Sequence, residues 1–542
     1  MSNFKTLRNN SYQEYSSRST GTKAVRFQFN LSKNLVHGAY SAQFERGTLD
    51  VLSADQLTET YAKKLLRAGL DNGFISECIG ECRPRTKQRI LSFEGKGRLD
   101  LGKDLSISVP FCIHDPEKYE AFASRVVELG YNSVLFSSFS QIKPEVFEGG
   151  LEAFLSFSKV LETFGIRIYL EVKTQPFCPL SSEFETSVSE TIYQILSGLP
   201  SISGIMWTSS IAHTAFTSGE GSRDWTYEDL LIKEALCVEE ALKGNKELIF
   251  YVPHFSGWRA QDAAQALLDL SNEVGIGTQI AFSPLSAKAT EVFASPHSLW
   301  TALRKCRLEP MTPLLPIVNV GALSFGEGLW PFLPLDKWDM YLGGSQEGAI
   351  VHTASIPEEG TILDASLWVA GRHLWKTGKS VDFLEFWARS YGGDLHLNEK
   401  KSTLTLVEEI LRTCSLFYAE TSEEESKETL RAEVEWTLAV LDGLRVRHRL
   451  IGPSDEDCLF QAYMRYFIRD AKRILFHVLK ERQITIPSML NGDDLQESFW
   501  SETEQGPSRG LSGGAKVLLR STPYKGKEAM QEQIYSSTRW IV

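Results

Sequence analysis

The chain has 542 residues, of which 42% are hydrophobic and 23% charged, a balance that excludes a largely disordered protein and supplies a sizeable core. Its 57 basic and 69 acidic residues give a formal net charge of −12. That excludes sequence-independent binding to nucleic acid, because neutralising phosphates takes a surplus of Lys and Arg.

In chain order, residues 1–24 read as a mobile tail, rich in Ser, Asn and Arg, with no apolar core of a signal peptide. Residues 25–103 are expected to form a small α/β domain. AVRFQFNL alternates like a half-buried strand, and SADQLTETYAKKLLRAGL has helical apolar spacing behind a Ser cap. From residue 104 to 358 short apolar runs alternate with amphipathic segments. The runs are LSISVPF, SVLFSSF, IRIYLEVK, SGIMWTS, ELIFYVP, IGTQIAF, PLLPIVNV and GAIVHTA. Continuous apolar strands separated by helices indicate a buried parallel sheet, and eight of them fit a closed (β/α)8 TIM barrel. An open doubly wound sheet is the alternative, disfavoured because no Gly-rich phosphate fingerprint follows the first strand. Residues 359–489 read as a helical C-terminal region and 490–542 as an irregular tail. Within that tail SRGLSGGAK lacks the ending and the preceding strand of a phosphate loop. The acidic run SEEESKE reads as a solvated helix start.

The eight cysteines show no paired spacing and no zinc-site pattern, so reduced thiols in a cytoplasmic protein are expected. No apolar run is long enough to cross a membrane, and nothing in the sequence calls for a metal or another cofactor. The oligomeric state is not legible.

A TIM barrel carries its chemistry at the C-terminal ends of its strands. Those ends and the loops after them hold Glu171, Lys173, Trp207, His213, Glu220, His254, Trp258, Ser283, Ser286, Asn319, Glu327 and His352. Aromatic faces stack on the C–H surfaces of a sugar while hydroxyls and imidazoles fix its polar groups, so the expected partner is a carbohydrate. Trp207, His254, Trp258, Ser286 and Asn319 are the candidate substrate contacts. Glu220, on a Gly-flanked loop after strand four, is the candidate general acid. Glu327 is the alternative base, and Glu171 is a further carboxylate that either serves as base or pairs with Lys173. Carboxylates are otherwise scarce at these positions, although glycoside hydrolysis usually needs two.

Several runs are similar, in order, to the α-glucuronidases of glycoside hydrolase family 67. They are EKYEAFASRVVELGYNSVLFSS, LETFGIRIYLEVKTQPF, SETIYQILSGLPSISGIMW, TQIAFSP and DASLWVAGRHLWKTGKSVDFLEFWARSYGGD. The last is the most specific, with Gly371, Arg372, Trp375, Ser380, Trp387 and Gly392 in step. The resemblance covers about half the chain and implies the same small α/β domain, barrel and helical region. It implies removal of 4-O-methylglucuronic acid from xylan fragments with inversion, and hence a uronic-acid-containing oligosaccharide as partner. The sequence departs from the family at the reacting positions. The acid's place after strand four holds Ser210, Ile211 and Ala212, so Glu220 needs an insertion. The two base-side carboxylates fall on Ser286 and Asn319, and the clamp for the glucuronate carboxylate falls on Thr208 and Val252. Ser and Asn have no basic form able to deprotonate water at neutral pH. The expectation is therefore a glycoside-hydrolase-like protein with altered or lost activity, or a retired barrel that binds a glycan or a protein.

Overall fold

The computed structural model describes residues 11–15, separate segments of 25–376, and residues 432, 435, 438 and 439. The remaining residues of the expected C-terminal helical region and the Gly-rich tail lie outside the described residues.

The chain opens with a mixed sheet and its helix: β1 (Ser11–Tyr15), β2 (Val25–Leu31), β3 (Tyr40–Glu45), β4 (Thr48–Ser53), α1 (Gln56–Asp71), α2 (Ile75–Cys78) and β5 (Gly80–Pro84). The sheet order is β1-β2-β4-β3-β5. Alternate residues Phe27 and Phe29, Tyr40 and Ala42, and Leu49 and Val51 are buried. On α1, Leu57, Tyr61, Ala62, Leu65 and Leu66 form one buried stripe at helical spacing. The helix is capped by Asp55 rather than the expected Ser53. Asp55 Oδ1 accepts from the Thr58 backbone N–H at 2.8 Å and the Thr58 hydroxyl at 2.7 Å, which satisfies a donor the first turn leaves open.

The elements that follow are β6 (Gln88–Glu94), β7 (Gly97–Asp100), β8 (Ser106–Val109), α3 (Tyr119–Glu128), β9 (Ser133–Ser137), β10 (Glu145–Val146), α4 (Gly150–Thr163), β11 (Arg167–Lys173), α5 (Phe184–Gly198), β12 (Gly204–Thr208), α6 (Tyr227–Leu242), β13 (Glu247–Val252), α7 (Ala260–Glu273), β14 (Thr278–Phe282), β15 (Leu314–Asn319), β16 (Gly348–Thr353), α8 (Ile362–His373) and β17 (Trp375–Lys376). Strands β6, β9, β11, β12, β13, β14, β15 and β16 close in that order into a barrel of parallel pairs, the expected (β/α)8 architecture.

Two strands differ from the sequence reading. Residues 1–24, read as a mobile tail, hold β1, which pairs antiparallel with β2 at the edge of the first sheet. The barrel begins at β6, inside the segment 25–103 assigned to the small domain. LSISVPF supplies only β8, which pairs antiparallel with β7 in a separate three-stranded sheet. The physical reason is Arg89. It is the second residue of QRILSFE and makes the run look solvent-facing, yet it is only 2% exposed. Its Nε donates to the Gly130 carbonyl at 3.0 Å and its Nη1 to the Thr86 carbonyl at 2.8 Å.

Arg89 belongs to a joint beneath the barrel. After α8 the chain enters β17, which adds to the edge of the first sheet by pairing with β5. Trp375 stacks on Tyr61 with ring centroids 3.9 Å apart, and its indole N–H donates to the Gly130 carbonyl at 2.9 Å. Arg89 lies over the Trp375 ring, and Arg372 over the rings of Tyr61 and Trp368. Burial pushes the Arg89 guanidinium down to about 10. Gly371 is required here because a Cβ would stand 1.7 Å from the Leu129 carbonyl oxygen. Gly130, the C-terminal glycine after α3, has φ +94, a conformation that favours glycine.

The barrel interior is a packed core of Ile90, Leu135, Tyr169, Met206, Ile249, Tyr251, Ala281, Leu315, Ile317 and Ile350. Its floor, at the strand N-termini, is tied by Glu247. That carboxylate accepts from Arg167 at 2.9 Å, from Gln88 at 3.2 Å and from the Tyr169 hydroxyl.

Candidate functional site

The parity of the core fixes what faces the upper lumen. Two residues beyond Ile90, Tyr169, Met206 and Ile350 in the strand direction lie Ser92, Glu171, Thr208 and His352. All four are buried. They meet as two pairs across neighbouring strands. The Thr208 hydroxyl on β12 donates to Glu171 Oε1 on β11 at 2.6 Å. Ser92 Oγ on β6 lies 2.8 Å from His352 Nδ1 on β16. Tyr251 on β13 stands in register with Thr208. Burial, and then the charge of Glu171, raises the Tyr251 phenol above its ordinary range, so it stays protonated and able to donate.

The C-terminal end of the barrel therefore collects a carboxylate, an imidazole, a phenol and two hydroxyls. Such a set can accept from and donate to several hydroxyls of a polyol at once, and Glu171 supplies negative charge beside them. Among the described residues, no three His, Cys, Asp or Glu side chains come together as metal ligands.

The sequence-predicted residues divide as follows. Trp207 is not in the mouth. It lies on the opposite parity of β12, fully buried under α6, where its indole N–H donates to Glu234 Oε1 at 2.9 Å. GIMWT is apolar throughout, because a barrel strand is covered on both faces, and such a run carries no alternation to tell inside from outside. Asn319 is the last residue of β15, in register with His352. Val252, one of the two clamp positions, ends β13 and is buried. The other, Thr208, faces the lumen against Glu171. Glu171 is held by Thr208, and Lys173 is in register with Thr208. Glu220, His254, Trp258, Ser286 and Glu327 lie outside the described residues.

Sequence reasoning missed Ser92 and Tyr251 as lumen groups. Ser92 was hidden because β6 was not assigned to the barrel. Tyr251 was readable from ELIFYVP by counting two residues on from the inward Ile249.

A cleft of about 390 Å³ lies at the other end, lined by Ser203, Glu239, Lys246, Glu247 and Thr278 among others. Its polar groups serve the fold. Lys246 Nζ donates to the carbonyls of Pro200 and Ile202, and Glu239 accepts from the Gly275 N–H and the Thr278 hydroxyl. That is the stabilising end of such a barrel rather than its reactive one. Among the described residues, no helix is long and apolar enough to cross a membrane.

No known sequence family and no curated protein matches the chain. Solved structures are similar to it to different degrees. A GH138 enzyme targeting pectin rhamnogalacturonan II superposes with a TM-score of 0.53 at 12% identity, over 90% of this chain and 68% of that one. The structure of CpGH84B gives a TM-score of 0.44 at 10% identity, covering 93% of this chain and 87% of that one. A GH20 exo-β-N-acetylglucosaminidase from Vibrio harveyi, in complex with N-acetylglucosamine, gives 0.41 at 12% identity, covering 73% and 70%. At 12% identity the likeness to the GH138 enzyme is one of fold alone.

Proposed function

We propose that this protein binds or processes a carbohydrate at the C-terminal mouth of its barrel, as a glycoside-hydrolase-like protein whose chemistry departs from that of the α-glucuronidases it resembles. The observation that carries the reading is the polar layer of Glu171, Thr208, Tyr251, Ser92 and His352 at the end of the barrel where this fold does its chemistry. In the hydrolase form, Glu220 protonates the leaving glycosidic oxygen, and Glu327 or Glu171 takes the proton of the attacking water. His254, Trp258, Ser286 and Asn319 contact the sugar. A second reading, a retired barrel that only binds, is favoured by Ser286 and Asn319 standing where the resemblance implies base-side carboxylates.

The deciding experiment is a screen of the purified chain against chromogenic glycosides and a glycan array that includes methylglucuronosyl xylo-oligosaccharides. Turnover of a glycoside, abolished in Glu220→Gln with binding kept, supports the hydrolase. Binding without turnover supports the retired barrel. Efficient uronate release would overturn the inference drawn from Ser286 and Asn319. No binding of any sugar would overturn the whole proposal.

A further inference from the structure

The outer faces of β11, β13, β14, β15 and β16 include buried apolar residues, among them Val172, Phe250, Phe282, Val318 and Val351. Strand β12 presents a different arrangement. Glu234 on α6 is fully buried. It accepts from the Trp207 indole N–H at 2.9 Å through one oxygen and from the Ser209 hydroxyl at 2.6 Å through the other. A buried carboxylate is expensive to desolvate, and an apolar side chain of the same volume would seal this layer at lower cost. What the carboxylate adds is direction, because two charge-assisted bonds fix the rotation of the strand end.

The residue between the two anchors is Thr208. With Trp207 and Ser209 drawn outward, the intervening side chain faces the lumen, where its hydroxyl donates to Glu171 at 2.6 Å. The Ser209 backbone N–H also donates to the Tyr251 carbonyl at 3.0 Å, which ties the same point to β13. We infer that Glu234 is a positioning residue: by holding Trp207 and Ser209 on the outside of the barrel, it holds Thr208 against Glu171 on the inside and so sets the carboxylate of the candidate site. The geometry stands on its own; its functional consequence rests on the carbohydrate reading above.

The test uses the full-length chain with methyl-labelled threonine. In Glu234→Leu the Thr208 methyl signal should shift or split as the side chain gains rotamers, while those of Thr278 and Thr312 stay in place. Glu234→Gln, which keeps one acceptor, should fall between. Trp207→Phe combined with Ser209→Ala removes the same two bonds from the strand side, and decides the matter should Glu234→Leu fail to fold. A folded variant with an unmoved Thr208 signal overturns the inference. On the glycoside or glycan found by the screen, Glu234→Leu should lower kcat, or weaken binding, roughly 10- to 100-fold, and Thr208→Ser should keep most of the function. Unchanged function with a shifted Thr208 signal would also overturn the positioning role. A protein that binds no sugar would remove the carbohydrate reading, while the Thr208 signal would still decide the coupling.

Discussion

The two ends of the barrel spend their polar groups differently. At the floor, Glu247 gathers Arg167, Tyr169 and Gln88 into one network joining β6, β11 and β13. The joint below buries two arginines against Trp375, Tyr61 and Trp368. At the mouth, the hydrogen bonds run between adjacent strands, from Thr208 to Glu171 and between Ser92 and His352. A network across non-adjacent strands closes a barrel and fixes the domain on it. Bonds between adjacent strands set each group's geometry locally, as the proposed binding site would require. The comparison therefore predicts that floor and joint variants change stability, whereas mouth variants change function.

The largest effect belongs to the joint. Gly371→Ala places a methyl 1.7 Å from the Leu129 carbonyl, which is backbone and has little room to move. The α3–α8 contact must open, at a cost of about 3–5 kcal/mol. Urea unfolding measures it, and a fully stable variant would show that the joint does not hold the two domains. Next comes the floor. Tyr169→Phe removes a hydroxyl that donates to the Glu247 carboxylate, with an expected loss of about 2 kcal/mol and no change in sugar affinity. Weakened sugar binding in that variant would break the division between the ends.

Legibility follows the same division. Seven of the eight barrel strands could be read as apolar runs, because both of their faces are covered. The first could not, since a buried Arg89 imitates a solvent-facing position. The most specific part of the α-glucuronidase resemblance begins with Gly371, Arg372 and Trp375, which belong to the joint. In this chain those residues pack the joint and lie away from the mouth. At the mouth, Trp207 was placed by its type and proximity to a strand end, and the parity of β12 puts it on the other side. Glu171 is readable as a carboxylate near the end of a strand, but its partner Thr208 depends on register between strands, which no single run contains.

A smaller effect concerns pH. Burial raises the Cys82 thiol from 9.0 to about 11, against the opposing pull of the Tyr40 hydrogen bond and of Arg372 and Arg89. Below pH 9 the folded and unfolded chains both hold the proton. Between 9 and 11 the unfolded chain releases it and the folded chain does not, so this contribution to stability falls as pH rises. In Cys82→Ala that fall is gone. The stability gap between the native protein and the variant should narrow by about 1 kcal/mol from pH 7 to pH 10. A constant gap would mean that the joint admits water.

The smallest expected change in stability is at the mouth, and it gives the sharpest contrast. Ser92→Ala removes a hydroxyl 2.8 Å from His352 Nδ1 and leaves a methyl in a buried layer. Losing this hydrogen bond leaves a buried imidazole nitrogen without that partner, and the small cavity adds little, so unfolding should move by about 1 kcal/mol. The ring of His352 nevertheless loses the partner that fixes one of its nitrogens, and nitrogen NMR of that imidazole should show a changed tautomer balance. If the ring contacts a sugar, affinity falls while stability holds, the opposite of Tyr169→Phe. Should Ser92→Ala unfold the chain as readily as the floor variant and leave glycan binding untouched, the pair at the mouth would be a second piece of barrel closure. The polar layer would then have to be reassigned from binding to architecture.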